Sequence, residues 1–246
     1  MKSQNPAILF TVWSMLLVGG HGQAPIAQVD PLKIRMNGVP LDFEKVPLTK
    51  ALSTVALSMD TEFVLFGTEI VTERGQGPVV STHIAGGSTL GEAIKELLAT
   101  NPEYTFQVIG PHLINVFPQN APRDANDILN LPIADLELSN IVPSNFLLNP
   151  ARYVPELKLA LSGNVPRGCP IGPGLSGIGP EISVHIVGST VRKALNLVSE
   201  ASIDAAQKNR GSASGWVYVH EKFPSEALKE HKWDFGDVWR LPKVKN

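Results

Sequence analysis

Along the chain, apolar positions recur with a helical period in three places. In VPLTKALSTVALS they fall at Leu48, Ala51, Leu52 and Val55, in GSTLGEAIKELL at Leu90, Ala93, Ile94 and Leu97, and in GSTVRKALNLVSEA at Val191, Ala194, Leu195 and Val198. Each set is spaced i, i+3, i+4, i+7, one stripe of a helix lying on a flat surface. Ser88 and Ser189 stand where an N-cap is expected, Thr89 and Thr190 follow them, and Pro47 takes the matching place in the first segment. A serine hydroxyl there bonds an orphan amide of the first turn, and proline fits because its missing N–H has no intrahelical partner.

Segments with strand character flank each helix. LDFEKV (41–46), VVSTHI (79–84) and ISVHIV (182–187) precede them, and EFVLF (62–66), YTFQVI (104–109) and WVYVH (216–220) follow. All are alternating or β-branched, as half-buried strands are. HLINVF (112–117) comes after YTFQVI across Gly110–Pro111, a tight hairpin signal. The unit is therefore strand–helix–strand, used three times. The phrase HIAGGSTLGEAI at His83–Ile94 and its echo HIVGSTVRKAL at His185–Leu195 are one point of that unit in two copies. The predicted fold class is α+β, with helices packed on small mixed sheets.

A different texture separates the second and third units. Of the 20 prolines, 11 lie from Pro111 to Pro180, together with the stretch GCPIGPGLSGIGP. Residues 119–180 read as a Pro/Gly-rich connector with one short helical candidate at Tyr153–Leu161. Leu136, Leu138, Ile141, Val142 and Phe146–Leu148 are too apolar for a free linker and are expected to pack along a domain surface. After the third unit, 181–221, the charged tail 222–246 carries Trp233, Phe235 and Trp239 and reads either as a docking strap or as a loosely held end.

The stretch from about Lys33 to Phe117 resembles the secretin and TonB N-terminus short domain. Phe43, Pro47, Leu48, Ala51 and Leu52 match the first half of that pattern, and Gly87, Leu90, Ala93, Ile94, Leu97, Leu98 and Thr100 match the second. The match covers roughly a third of the chain, and its motifs are packing motifs, specific for fold and weak for activity. The resemblance implies an α+β domain over 32–118 made of two strand–helix–strand halves. It also implies a periplasmic setting and contact with partner proteins. The chain departs from the family in lacking the long β-rich sequence of a barrel or secretin pore. It also adds a third half-unit in which Gly188, Ser189, Val191, Ala194 and Leu195 repeat the second-half pattern.

The first 24 residues sharpen the setting. Lys2 precedes the apolar run AILFTVWSMLLV (7–18) and then GGHGQA, with Gly22 and Ala24 placed for cleavage after Ala24. A positive start, a short apolar core and small residues describe a secretory signal peptide, and the run is too short for a bilayer span of ~20 residues. The expected location is exported, periplasmic or outer-envelope associated in a Gram-negative bacterium, with no integral span after cleavage. The single Cys169 gives neither an internal disulfide nor a paired-thiolate metal site. A net charge of −2 supplies no basic field for nucleic acid.

Candidate chemistry is thin. Gly172-Pro-Gly174-Leu-Ser-Gly177 spells G-x-G-x-x-G, but prolines interrupt the approach and a strand follows, so no dinucleotide cradle is expected. Ser176 lacks the glycine two places later that a nucleophile elbow needs. His83 and His185 share a repeat position and read as outward strand residues, while His112, His220 and His231 show no metal spacing. Asp124, Asp127, Asp135 and Glu137 lack the spacing of a calcium loop and read as solvated charges of the connector. No catalytic residue, cofactor or metal is assigned. The leading expectation is a non-enzymatic module that binds envelope proteins through the sheet edges Val79–Ile84 and Ile182–Val187, with Val80, Thr82, Val184 and Ile186 as contact residues. The alternative is a carbohydrate or peptidoglycan binder using Trp216, Trp233 and Trp239.

Overall fold

The computed structural model describes residues 30–59, 64–73, 76–161, 179–209, 212–222 and 233–236. The expected signal peptide, the Gly/Pro stretch with its G-x-G-x-x-G, and Trp239 lie outside these residues. The architecture is α+β. In chain order the main elements are β1 (Leu41–Pro47), α1 (Leu48–Leu57), β2 (Leu65–Glu73), β3 (Val79–Ile84), α2 (Leu90–Ala99), β4 (Tyr104–Gly110) and β5 (Leu113–Pro118). There follow β6 (Pro132–Ile141), α3 (Pro143–Leu148), α4 (Pro155–Leu161), β7 (Ile182–Thr190), α5 (Val191–Asn209), β8 (Trp216–Lys222) and β9 (Trp233–Gly236).

A five-stranded sheet runs β4-β5-β2-β8-β9, and two antiparallel ribbons, β1-β3 and β6-β7, lie apart from it. Strand β2 pairs in parallel with both β5 and β8, so the third unit joins the sheet of the first two. One core gathers Leu48, Leu52, Ile94 and Leu97 of α1 and α2 with Phe43, Val80 and Ile84 of the first ribbon and Phe66, Ile114 and Val116 of the sheet. The other gathers Val191, Leu195 and Val198 of α5 with Leu136, Leu138 and Ile186 of the second ribbon and Trp216 and Tyr218 of the sheet. Since strand side chains alternate between faces, the sheet is a wall shared by two helix-filled compartments.

The segment expected to be connector is in part a working half of the second compartment. Strand β6 is to β7 what β1 is to β3. Both first strands carry a bulge, at Lys45 (φ 50°) and Asn140 (φ 52°), where the chain turns left-handed. At each bulge the backbone N–H donates to a serine hydroxyl on the facing strand, Lys45 to Ser81 and Asn140 to Ser183. The ribbons also share a positive-φ glycine ahead of the next helix, Gly87 after β3 and Gly188 near the end of β7. Leu136, Leu138, Phe146 and Leu147 are buried in the second core rather than spread along a surface. Leu161 ends the last described helix of this segment, so the expected helix at Tyr153–Leu161 is present as α4 and begins at Pro155.

Two local expectations shift. The cap of α2 is Thr89, whose hydroxyl accepts the Glu92 N–H while the Glu92 carboxylate accepts the Thr89 N–H and O–H. Ser88 instead donates to the Ala85 carbonyl. Thr190 likewise accepts the Lys193 N–H, so both caps sit one residue later than the serines. The strand expected at 62–66 begins at Leu65 and runs on to Glu73. Within it Gly67 lies between Asn115 of β5 and Trp216 of β8, in register with both. A Cβ on Gly67 would overlap the Asn115 Oδ1 and the Trp216 indole, so the missing side chain is what lets these two large groups lie beside one strand.

Gly67→Ala is therefore expected to cost about 1–3 kcal/mol through overpacking, read as a lowered denaturation midpoint. Gly38→Ala, where nothing lies within 4 Å of the added carbon, should leave that midpoint nearly unchanged.

Candidate functional site

The sequence points to two open sheet edges, and the topology supplies them. Among the described residues β3 pairs only with β1, and β7 only with β6. On β7 the rows alternate as a half-buried strand requires: Ile182 and Ile186 are buried, Val184 is half-buried, and Ser183, His185 and Val187 face solvent. Val187 is 64% exposed, a large apolar side chain left at an edge. On β3, Val80 is buried and Thr82 half-buried, while Val79 is exposed. The Val79 carbonyl already accepts from the Asn101 amide, so the start of this edge is occupied in part. Val80 and Ile186, expected as contact residues, are core residues that fix each strand's orientation; the edge is offered by the backbone beside them.

His83 and His185 both point outward, each paired with a carboxylate of the neighbouring strand. His83 Nδ1 lies 2.6 Å from Asp42 Oδ1, and His185 Nε2 lies 2.8 Å from Asp135 Oδ1. Among the described residues no group of three or more His, Cys, Asp and Glu side chains converges as a metal ion would require. None of the described helices is long and apolar enough to cross a membrane.

Trp216 is not a surface aromatic. It is fully buried, and its indole N–H donates to Asn196 Oδ1 on α5 at 2.9 Å. The shape of the β-wall places it inward, on the same face as Tyr218, so it packs the seam and presents nothing to a glycan. The Trp233 side chain and all of Trp239 lie outside what the structure describes; Trp233 itself opens β9, paired with His220 of β8.

The most heavily charged place in the interior escaped the sequence patterns. Arg192, in the first turn of α5, donates to Glu69 Oε2 of β2 at 2.6 Å and to Asp127 Oδ2 at 2.5 Å, with all three side chains at most 10% exposed. The Asp127 carboxylate also accepts the Leu129 N–H in the turn before β6. The Arg192 guanidinium lies 5.7 Å from the centre of the Phe117 ring. Asp127 is thus a buried ligand of arginine, not the solvated connector charge expected. Burial is the main force on Glu69 and pushes its carboxyl up to about 7; Arg192 pulls the other way, and the nearby Asp127 charge adds to the rise. Burial also raises Asp127, against its Leu129 hydrogen bond and Arg192. Two carboxylates on one arginine would leave a net negative charge in a dry place, so the arrangement favours one proton held between them.

Around this cluster the seam between α5 and the sheet is polar along its length. Asn196, Ser199 and Ser202 follow Arg192 on the buried side of α5. Ser202 Oγ accepts the Ser214 N–H, while the Ser199 hydroxyl and both ends of the Asn115 amide are buried without a hydrogen-bond partner. A signal for this face was present in principle: the spacing 192, 196, 199 gives α5 a second buried stripe, made of polar and small residues that a hydrophobic count passes over.

No family model, no curated protein and no solved structure matches the chain.

Arg192→Met is expected to destabilise the protein by about 3–5 kcal/mol at neutral pH, because it strands two buried carboxyls without their cation. Denaturant unfolding checks this. Converting Glu69, Asp127 and Arg192 together to apolar residues of similar volume should recover most of the loss.

Proposed function

We propose that this chain is a non-catalytic, exported module of the cell envelope that binds a partner protein by strand addition, chiefly along β7. The observation that carries the reading is the second ribbon. It ends in a strand whose inner row is anchored in the core, whose outer row is exposed, and whose far edge no described strand occupies. A partner segment in extended form would find a row of backbone donors and acceptors, with the register set by the buried Ile182 and Ile186. Val184 and Val187 would meet its side chains on the two faces. The family reading, a relative of the secretin and TonB N-terminus short domain, is supported by the element order β1-α1-β2 and β3-α2-β4-β5 within residues 41–118. The apolar N-terminal run supports export. The role of β3 is secondary, since Asn101 already holds part of its edge.

A photo-crosslinking residue at Val187 is expected to trap one defined envelope protein, and the same residue at Val39, which is exposed outside the ribbons, is expected not to. Val184→Pro should reduce that capture by about tenfold or more while circular dichroism stays unchanged, because proline cannot serve a ladder. Undiminished capture by the folded proline variant rules the edge out.

A further inference from the structure

We propose that Arg192, Glu69 and Asp127 form a proton-dependent latch between the two compartments, in which a proton shared by the two carboxylates keeps α5 closed on β2 and its loss loosens the seam. Three features of the geometry lead there. First, Glu69 belongs to the first compartment's strand, Arg192 to the second compartment's helix, and Asp127 to the turn that joins them. Among the ion pairs of the described residues, this cluster is the one that spans them. Second, Glu69 is in register with Tyr218 on β8, so the cluster sits directly over the parallel β2–β8 ladder that ties the units. Third, the seam beside the cluster buries polar groups among its packing contacts. Asn115 and Ser199 are buried with unmet hydrogen-bonding capacity, which favours opening there over the apolar cores on either side.

The cluster's surroundings determine the sign. The groups facing it are Tyr218 of β8, Asp124 of the Asp127 turn, Tyr104 near Glu69, and the Phe117 ring under the guanidinium; His220 lies two residues further along β8, opposite Val71, and Lys193, the next residue of α5, is exposed. Arg192 is the cation bonded to both carboxylates. Burial raises Glu69 from 4.5 to about 7 and raises Asp127 as well. In the open seam Glu69 meets water and returns toward its ordinary value. Between roughly pH 4.5 and 7 the closed form therefore holds a proton that the open form has released. Closure is favoured at the acid end of this window, weakens as pH rises through it, and is level above it.

Amide hydrogen exchange along β8, corrected for the intrinsic pH dependence of exchange, tests the latch on the full chain. Opening of β8 is expected to grow by about tenfold or more from pH 5 to pH 7.5 and to level off above that. Glu69→Gln mimics the protonated carboxyl and should cut the rise to less than about threefold, whereas His220→Gln should leave it in place. Should the glutamine variant not fold, Asp127→Asn serves instead, since removing the second carboxylate lets Glu69 ionise beside Arg192 at lower pH. Carbon NMR of the Glu69 carboxyl in the unmodified protein gives an independent reading. Titration of that carboxyl in the range of exposed glutamates, a flat β8 profile, or an undiminished rise in Glu69→Gln would each overturn the proposal.

Discussion

Strand β2 is hydrogen-bonded on both sides and covered on both faces, and most of the remaining structure follows from that burial. A strand in this position must satisfy its backbone through two neighbours and bury whatever its side chains carry. Its parallel neighbours β5 and β8 come from different units, so saturating β2 is what fuses the third unit to the first two. On the α1/α2 face it contributes Phe66 and Ile70 to an apolar core. On the α5 face it presents Gly67 and Glu69, a gap and a charge. The gap admits Asn115 and Trp216, and the charge must find a cation, which Arg192 provides. The polar character of the seam thus starts at Gly67 and Glu69, held where apolar residues would ordinarily stand.

The two compartments use the same devices and diverge at one matched position. Both ribbons have a left-handed bulge tied to a serine hydroxyl, an outward histidine paired with a carboxylate, a positive-φ glycine and a threonine beginning the next helix. Aligning HIAGGSTLGEAI with HIVGSTVRKAL sets Gly91 against Arg192. At Gly91 an added Cβ would press on the backbone and Cβ of Leu32, because the chain at 31–33 lies across the start of α2. At Arg192 the side chain instead reaches over the sheet to Glu69 and Asp127. One copy closes its helix start with a neighbouring peptide, and the other spends that position on the link between copies.

The parts of the fold legible in sequence were those whose signal is periodic. The stripes at Leu48, Leu90 and Val191 and the strands VVSTHI and YTFQVI stand where alternation and helical spacing put them, because one face of each is apolar and the other wet. Strand β2 is only partly legible because buried strands lose that contrast, and Gly67 with Glu69 resembles a break. Strand β6 is hidden in sequence for a different reason. LELSNIVP repeats LDFEKVP with one extra residue before the proline and with no matching helical stripe after it, so the proline-rich context dominated. The caps lie one residue beyond the serines because Ser and Thr compete for the role, and the Thr89–Glu92 box is what distinguishes them at α2. Of the expected contact residues, the structure turns Val80 and Ile186 inward and buries Trp216. Beyond the polar stripe that includes Arg192, the meeting of Arg192 with Glu69 and Asp127 has no local signature, because it depends on three segments coming together.

The difference between the copies also bears on where a partner would bind. In the first compartment the edge strand is pinned at its start by Asn101, and the helix that follows is pinned by the segment at 31–33. In the second, the corresponding edge strand runs directly into α5, whose first turn holds the charge cluster. Strand β7 ends at Thr190 and Arg192 lies two residues further on, so a single short connection joins the edge to the seam. An occupied edge would stiffen β7, and through its continuity with α5 would resist movement of Arg192 away from Glu69. Were strand addition to hold the seam closed in this way, linkage would require a closed seam to favour strand addition by the same factor. Edge and cluster are therefore two ends of one element pair, and the polar seam is the part of the structure with the least to lose by moving.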